Sequence, residues 1–146
     1  MYTMQKGYSQ LRKGRYSEPG QIYLVTSVTR ERCPVFSNFW SARTLIRILH
    51  REPCAELQTL AFVVMPDHVH WLLQLHSGEL PVVMKRVKSL SARSLGGSLW
   101  QSGYHDRALR KEENLPEVAR YIVANPLRAG LVDSVRQYPH WDAVWL

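Results

Sequence analysis

The apolar positions along this chain follow two periods, and the points where the period changes mark its elements. Residues 21–29 are rich in β-branched and aromatic types (Ile22, Tyr23, Val25, Thr26, Val28), which suit the pleated surface of a strand. Across residues 38–52 the period becomes helical. Ala42, Leu45, Ile46 and Leu49 form the apolar side, Arg43, Arg47 and Arg51 line another, and Pro53 stops the helix. Residues 57–65 and 68–75 read as two strands joined by the turn-forming pair Pro66-Asp67. The helical period returns over residues 80–95 through Leu80, Val83, Met84, Val87 and Leu90, and Gly96-Gly97 ends it. Residues 99–109 hold a short strand and a turn. A last helix starts at Leu115-Pro116, with proline in its favoured first turn, and runs to Ala124. Asn125-Pro126 interrupts it, because proline has no N–H to donate and crowds the turn before it. Gly130 ends the turn that follows, and the aromatic tail, residues 138–146, is expected to pack on the body.

The order strand, helix, strand, strand, helix, short strand, helix predicts an α+β protein. Its form is a ferredoxin-like sandwich: one antiparallel sheet with helices on one face, and a C-terminal helix carrying Tyr121. With 146 residues, 45% of them hydrophobic, the chain is expected to be one domain (1–146) with one core, preceded by a basic arm (1–20). The longest apolar run, residues 60–65, is far too short to span a bilayer. No apolar leader opens the sequence, and Cys33 and Cys54 lack paired spacing. A cytoplasmic protein with reduced thiols is the simplest expectation.

Charge narrows the partner. A net charge of +7 and a pI near 9.7 favour a polyanion. No long basic helix with an aromatic face is present, which disfavours a membrane surface. Arg12, Lys13 and Arg15 lie in the arm among tyrosines, a mixture suited to phosphates and stacked bases, although a plain flexible tail fits equally. Lys85, Lys88 and Arg93 on the second helix are further phosphate-contact candidates, each of which also reads as solvated surface charge.

The chemistry centres on His68-Val69-His70. Side chains at i and i+2 of a strand share a face, so two imidazoles project together and form half of a metal site. Alone, such a pair is usually two polar residues on a wet face. Tyr121 and Asn125 lie four residues apart, one turn along the last helix, while Ile122 and Leu115 point to the core side. Asn125 offers a carbonyl oxygen to a hard divalent ion, or caps the turn that Pro126 begins.

Taken together, three segments resemble a known family. Met65-Pro66-Asp67-His68-Val69-His70-Trp71, the stretch Trp100-Gln101-Ser102-Gly103-Tyr104-His105-Asp106-Arg107-Ala108-Leu109-Arg110, and Tyr121-Ile122-Val123-Ala124-Asn125-Pro126-Leu127-Arg128-Ala129-Gly130 resemble the single-tyrosine HUH transposases of the IS200-like superfamily. Within it the similarity is to the REP-associated tyrosine transposases, and it extends from about residue 14 to the end. The resemblance implies a ferredoxin-like fold, Tyr121 as nucleophile, and His68, His70 and Asn125 as ligands of a divalent cation, Mg²⁺ or Mn²⁺. Relatives often carry glutamine where Asn125 stands. Arg107 and Arg110 join the DNA-contact candidates through the middle motif.

The implied activity is that of an endonuclease and strand transferase in DNA transposition. Its substrate would be single-stranded DNA beside a hairpin, such as a REP palindrome, and its intermediate a covalent 5′-phosphotyrosine. No phosphate-binding loop of the G-x-x-x-x-G-K-[ST] type is present, so no nucleotide cofactor is expected. The acting species would be a monomer or a homodimer. Two rival readings stay open: a nucleic-acid-binding ferredoxin-like module without catalysis, and a metal-dependent hydrolase in which the histidine pair activates water.

Overall fold

The computed structural model describes residues 18–51 and 56–145. Arg12, Lys13, Arg15 and Cys54 lie outside the described residues. Strand β1 (Ile22–Val28) leads through helix α1 (Phe39–Arg51) to the hairpin β2 (Leu57–Met65) and β3 (His68–Leu75). Helix α2 (Leu80–Ser94) then leads to β4 (His105–Ala108). Helix α3 (Leu115–Val123), the helical turn α4 (Asn125–Arg128) and strand β5 (Trp141–Ala143) complete the chain. All pairings are antiparallel and the strand order is β4-β1-β3-β2-β5. The first four strands give the split βαβ order of a ferredoxin-like sheet. The tail adds β5 beside β2, which covers an edge that would otherwise be open.

The sheet is buried on both sides. On one, Tyr23, Val25, Phe62, Val64, Val69, Trp71 and Leu73 pack against Ala42, Leu45 and Leu49 of α1 and Val83, Met84 and Val87 of α2. The opposite face presents Leu60, Ala61, Val63, Met65 and Leu72, and Ala119, Ile122 and Val123 of α3 cover it. The helices therefore divide: α1 and α2 lie on the face expected for the sandwich, and α3 lies on the other. The cause is the unbroken apolar run of β2, which leaves a second hydrophobic surface needing cover. A register shift between Thr59 and Ala61 turns both Leu60 and Ala61 to the α3 side.

Helix α3 starts where Asn114 Oδ1 accepts the N–H of Glu117 at 3.2 Å, with Pro116 in its first turn. It stops before Pro126, whose missing N–H leaves the Ile122 carbonyl without its helical donor. Asn125 Nδ2 donates to that carbonyl at 2.9 Å instead.

Candidate active site

The register fixes which face bears the histidines. His68 pairs with Met65 and His70 with Val63, and directly paired residues share a side of the sheet. The imidazoles therefore lie on the α3 face, at the β2–β3 turn end. Their ring centroids are 4.9 Å apart and nearly perpendicular.

Each ring is oriented through its Nδ1. His68 Nδ1 donates to Asp67 Oδ1 at 2.7 Å, and the same carboxylate accepts Arg32 Nη1 through Oδ2 at 3.1 Å. Burial raises the Asp67 carboxyl, but the bonds from His68 and Arg32 outweigh it and hold the group below the usual carboxylate range. A carboxylate only accepts, so the proton of this bond sits on His68 Nδ1. His70 Nδ1 lies 2.9 Å from Thr26 Oγ1, its cross-strand neighbour. With Nδ1–H donating there, Nε2 of His70 would be the nitrogen left to bind a cation. Burial pushes His70 down to about 4, and the charges of His68 and Arg128 push the same way, so the ring is neutral near pH 7.

Tyr121 projects from the outer side of α3 with 66% of its surface exposed, while Ile122 beside it is buried. The guanidinium of Arg128 stacks over the Tyr121 ring, with Cζ 3.8 Å from the ring centroid. Arg128 thus lies directly against the phenol. Asn125 is half-buried on α4, which packs on β2. Its amide nitrogen closes the end of α3 on the Ile122 carbonyl and does not cap the turn that Pro126 begins, which leaves its carbonyl oxygen uncommitted to that bond.

The donor set fits a divalent cation. Two imidazole nitrogens and one amide oxygen are a borderline-hard combination, and both rings are oriented through Nδ1. Among the described residues no group of three His, Cys, Asp or Glu residues comes together, and Asn125 would supply a third ligand of another type.

The cationic candidates are spread more widely. Lys85, Lys88 and Arg93 belong to α2, on the face opposite the imidazoles, and Lys88 donates to the Gln101 and Gly103 carbonyls. Arg107 shares the His70 face through its pairing with Leu24, but both Glu113 carboxylate oxygens accept from it at 3.0 Å. Arg110 lies 4.0 Å from Glu112. The sequence reading passed over four residues of the site: Thr26, Asp67, Arg128 and His105. His105 pairs with Thr26 and so stands in one row with Thr26 and His70 across three strands. Only Asp67 carried a signal in the sequence, its place immediately before His68.

Comparisons with known proteins bear on the family and the fold. A sequence profile described as "Transposase IS200 like" matches residues 19–125. The chain belongs to that family of DNA-cleaving enzymes. A Haemophilus influenzae protein provisionally named REP-associated tyrosine transposase is 21% identical over 140 residues, spanning 83% of this chain and 78% of its own. The REP-associated tyrosine transposase of Escherichia coli is 27% identical over 82 residues, 54% of this chain and 50% of its own. Among solved structures, a REP-associated tyrosine transposase bound to a REP hairpin superposes with a TM-score of 0.71 at 20% identity. That match covers 97% of this chain and 82% of the other, and it shows the fold. A Deinococcus radiodurans protein provisionally classed as a transposase gives a TM-score of 0.55 at 28% identity, over 75% and 93% of the two chains. No helix among the described residues is long and apolar enough to cross a membrane.

Proposed function

We propose that this transposase nicks and rejoins single-stranded DNA through Tyr121, beside a hairpin of the REP type. The observation that carries the reading is the placement of α3. Its buried side holds it to the sheet face that bears His68 and His70, and its outer side presents an exposed phenol against Arg128. His68, His70 and Asn125 would hold a divalent cation, Mg²⁺ or Mn²⁺, which when bound neutralises a non-bridging phosphate oxygen and polarises phosphorus.

The remaining work falls to the chain. The Tyr121 oxygen attacks phosphorus, forming a Tyr–O–P bond to the 5′ side as the P–O3′ bond breaks. The phenolic proton is lost and the departing 3′-oxygen gains one, so the products are a 5′-phosphotyrosine and a 3′-hydroxyl. The phosphoester energy stays in the protein–DNA link. Reversal by another 3′-hydroxyl gives strand transfer, with no nucleotide cofactor. Asp67 and Thr26 keep the imidazoles aimed, and the exposed phenol admits a strand from solvent. The names of the relatives support a REP-type hairpin as target.

Incubating the protein with hairpin-bearing single-stranded DNA and Mn²⁺ tests this. A denaturation-resistant protein–DNA adduct is expected, absent in Tyr121→Phe and after chelation. Cleavage that persists in Tyr121→Phe and leaves protein-free ends would point to hydrolysis by water. Binding without any adduct across such substrates would leave only a nucleic-acid-binding module.

A further inference from the structure

Arg128 has no role in the chemistry derived so far, and its surroundings are unusual for a surface arginine. Among the described residues no carboxylate lies within ion-pairing distance of it. Arg32, Arg86 and Arg107 are ion-paired with Asp67, Glu56 and Glu113, whereas Arg128 stands apart by lying against the phenol. It lays its plane on the Tyr121 ring, with Cζ 3.8 Å from the centroid. It follows the break at Pro126, three residues after Asn125, and lies beyond the region matched by the family profile.

Resting on the proposed role of Tyr121, we propose that Arg128 is the phosphate anchor of the site: stacked on the attacking phenol, it grips a non-bridging oxygen of the scissile phosphodiester. A guanidinium stacked through its face keeps its N–H edge outward, and that edge matches two phosphate oxygens. A cation without a carboxylate partner has no competing anion to release when DNA arrives. The phosphate so held lies against the ring that attacks it. The second half of the anchor's work is positional, since the stack limits the rotation of an otherwise exposed side chain.

A neutral substrate separates this role from a structural one. The adduct is first mapped to its phosphate, and oligonucleotides are then made with a phosphodiester or an uncharged methylphosphonate at that position. Wild type, Arg128→Ala and Arg128→Lys are compared by the rate of 3′-hydroxyl strand release. On the phosphodiester, Arg128→Ala is expected to be slower by roughly 100-fold, the scale of losing one preorganised donor to a developing charge. Arg128→Lys keeps the charge without the fork and falls between. On the methylphosphonate, the gap between wild type and Arg128→Ala is expected to close. Binding gives an independent readout: in a Tyr121→Phe background without added metal, Arg128→Ala should weaken binding of the charged oligonucleotide and not of the neutral one. Unfolding midpoints should match, since Arg128 is exposed.

Equal losses on both substrates, or no loss, would overturn the anchor while leaving Tyr121 as nucleophile. No adduct from wild type, or full cleavage by Tyr121→Phe, would overturn the reading of the site and the anchor with it.

Discussion

Replacing Asp67 with alanine isolates what one carboxylate does for a neighbouring imidazole. The turn that carries it is held by its backbone. Thr29 N donates to the Asp67 carbonyl at 2.9 Å and Thr29 Oγ1 to the same oxygen at 3.0 Å, while Phe36 N donates to the Pro66 carbonyl at 2.9 Å. All three bonds survive the substitution. Lost are the 2.7 Å bond from His68 Nδ1 and the 3.1 Å pair with Arg32. The Arg32 side chain is 64% exposed, so its pair contributes at most about 1 kcal/mol. The bond to His68 fixes ring rotation and tautomer, and such partners are worth roughly 10–100-fold in metal affinity. On a scale of about 1.4 kcal/mol per tenfold, that is roughly 1.4–2.8 kcal/mol. Titrating Mn²⁺ into the DNA-free protein and following the free-ion EPR signal measures it. Asp67→Ala should weaken binding by that factor, Asp67→Asn by less because its amide oxygen still accepts, and Arg32→Ala hardly at all. Wild-type affinity in Asp67→Ala, with binding abolished in His68→Ala, would refute the orienting role.

Three further outcomes follow from the same structure. Ile122 is 2% exposed between α3 and the sheet, so Ile122→Ala should cost about 2–5 kcal/mol and lower the urea midpoint; an unchanged midpoint would mean α3 is not docked. Asn125→Asp removes the donor to the Ile122 carbonyl and adds a negative ligand, so the metal-free midpoint should fall while Mn²⁺ binds more tightly, and a fall in both would exclude Asn125 as ligand. Burial, with Arg43 adding to it, holds His140 below the ordinary histidine range, and His70 stands at about 4. Below about 6.5 the unfolded chain therefore binds more protons, and stability present above that pH is lost as it falls toward about 4. Urea midpoints of the metal-free protein across that window should drop. The drop should shrink in His140→Phe, which keeps a ring against Phe39 and Tyr138, and a flat profile in wild type would contradict the assignment.

Most of the fold was legible because its periods are pure. The hairpin strands β2 and β3 start and stop at the predicted residues, and α1 and α2 do so within a residue. The run at residues 60–65 also held the clue that both sheet faces are covered, since a strand wet on one side would alternate. The histidine pair was visible in the sequence, and the side of the sheet it shares with α3 was not. That face depends on cross-strand register, which places Thr26 beside His70 and Met65 beside His68, and no local pattern states it. Arg128 was hidden for another reason. It reaches the Tyr121 ring across the break at Pro126, where helical spacing no longer predicts neighbours. The basic residues of α2 were legible as charge, but their side of the sheet was settled only by packing.

The docking of α3 has a consequence for how the protein operates when scarce. Ala119, Ile122 and Val123 anchor that helix to β2 of its own chain, and β2 is the direct neighbour of the strand bearing the imidazoles. With Tyr121 acting at the imidazoles of its own chain, a solitary molecule would bring the whole apparatus to its target. Output should then scale with the first power of protein concentration, and dilution should leave the turnover of each molecule unchanged.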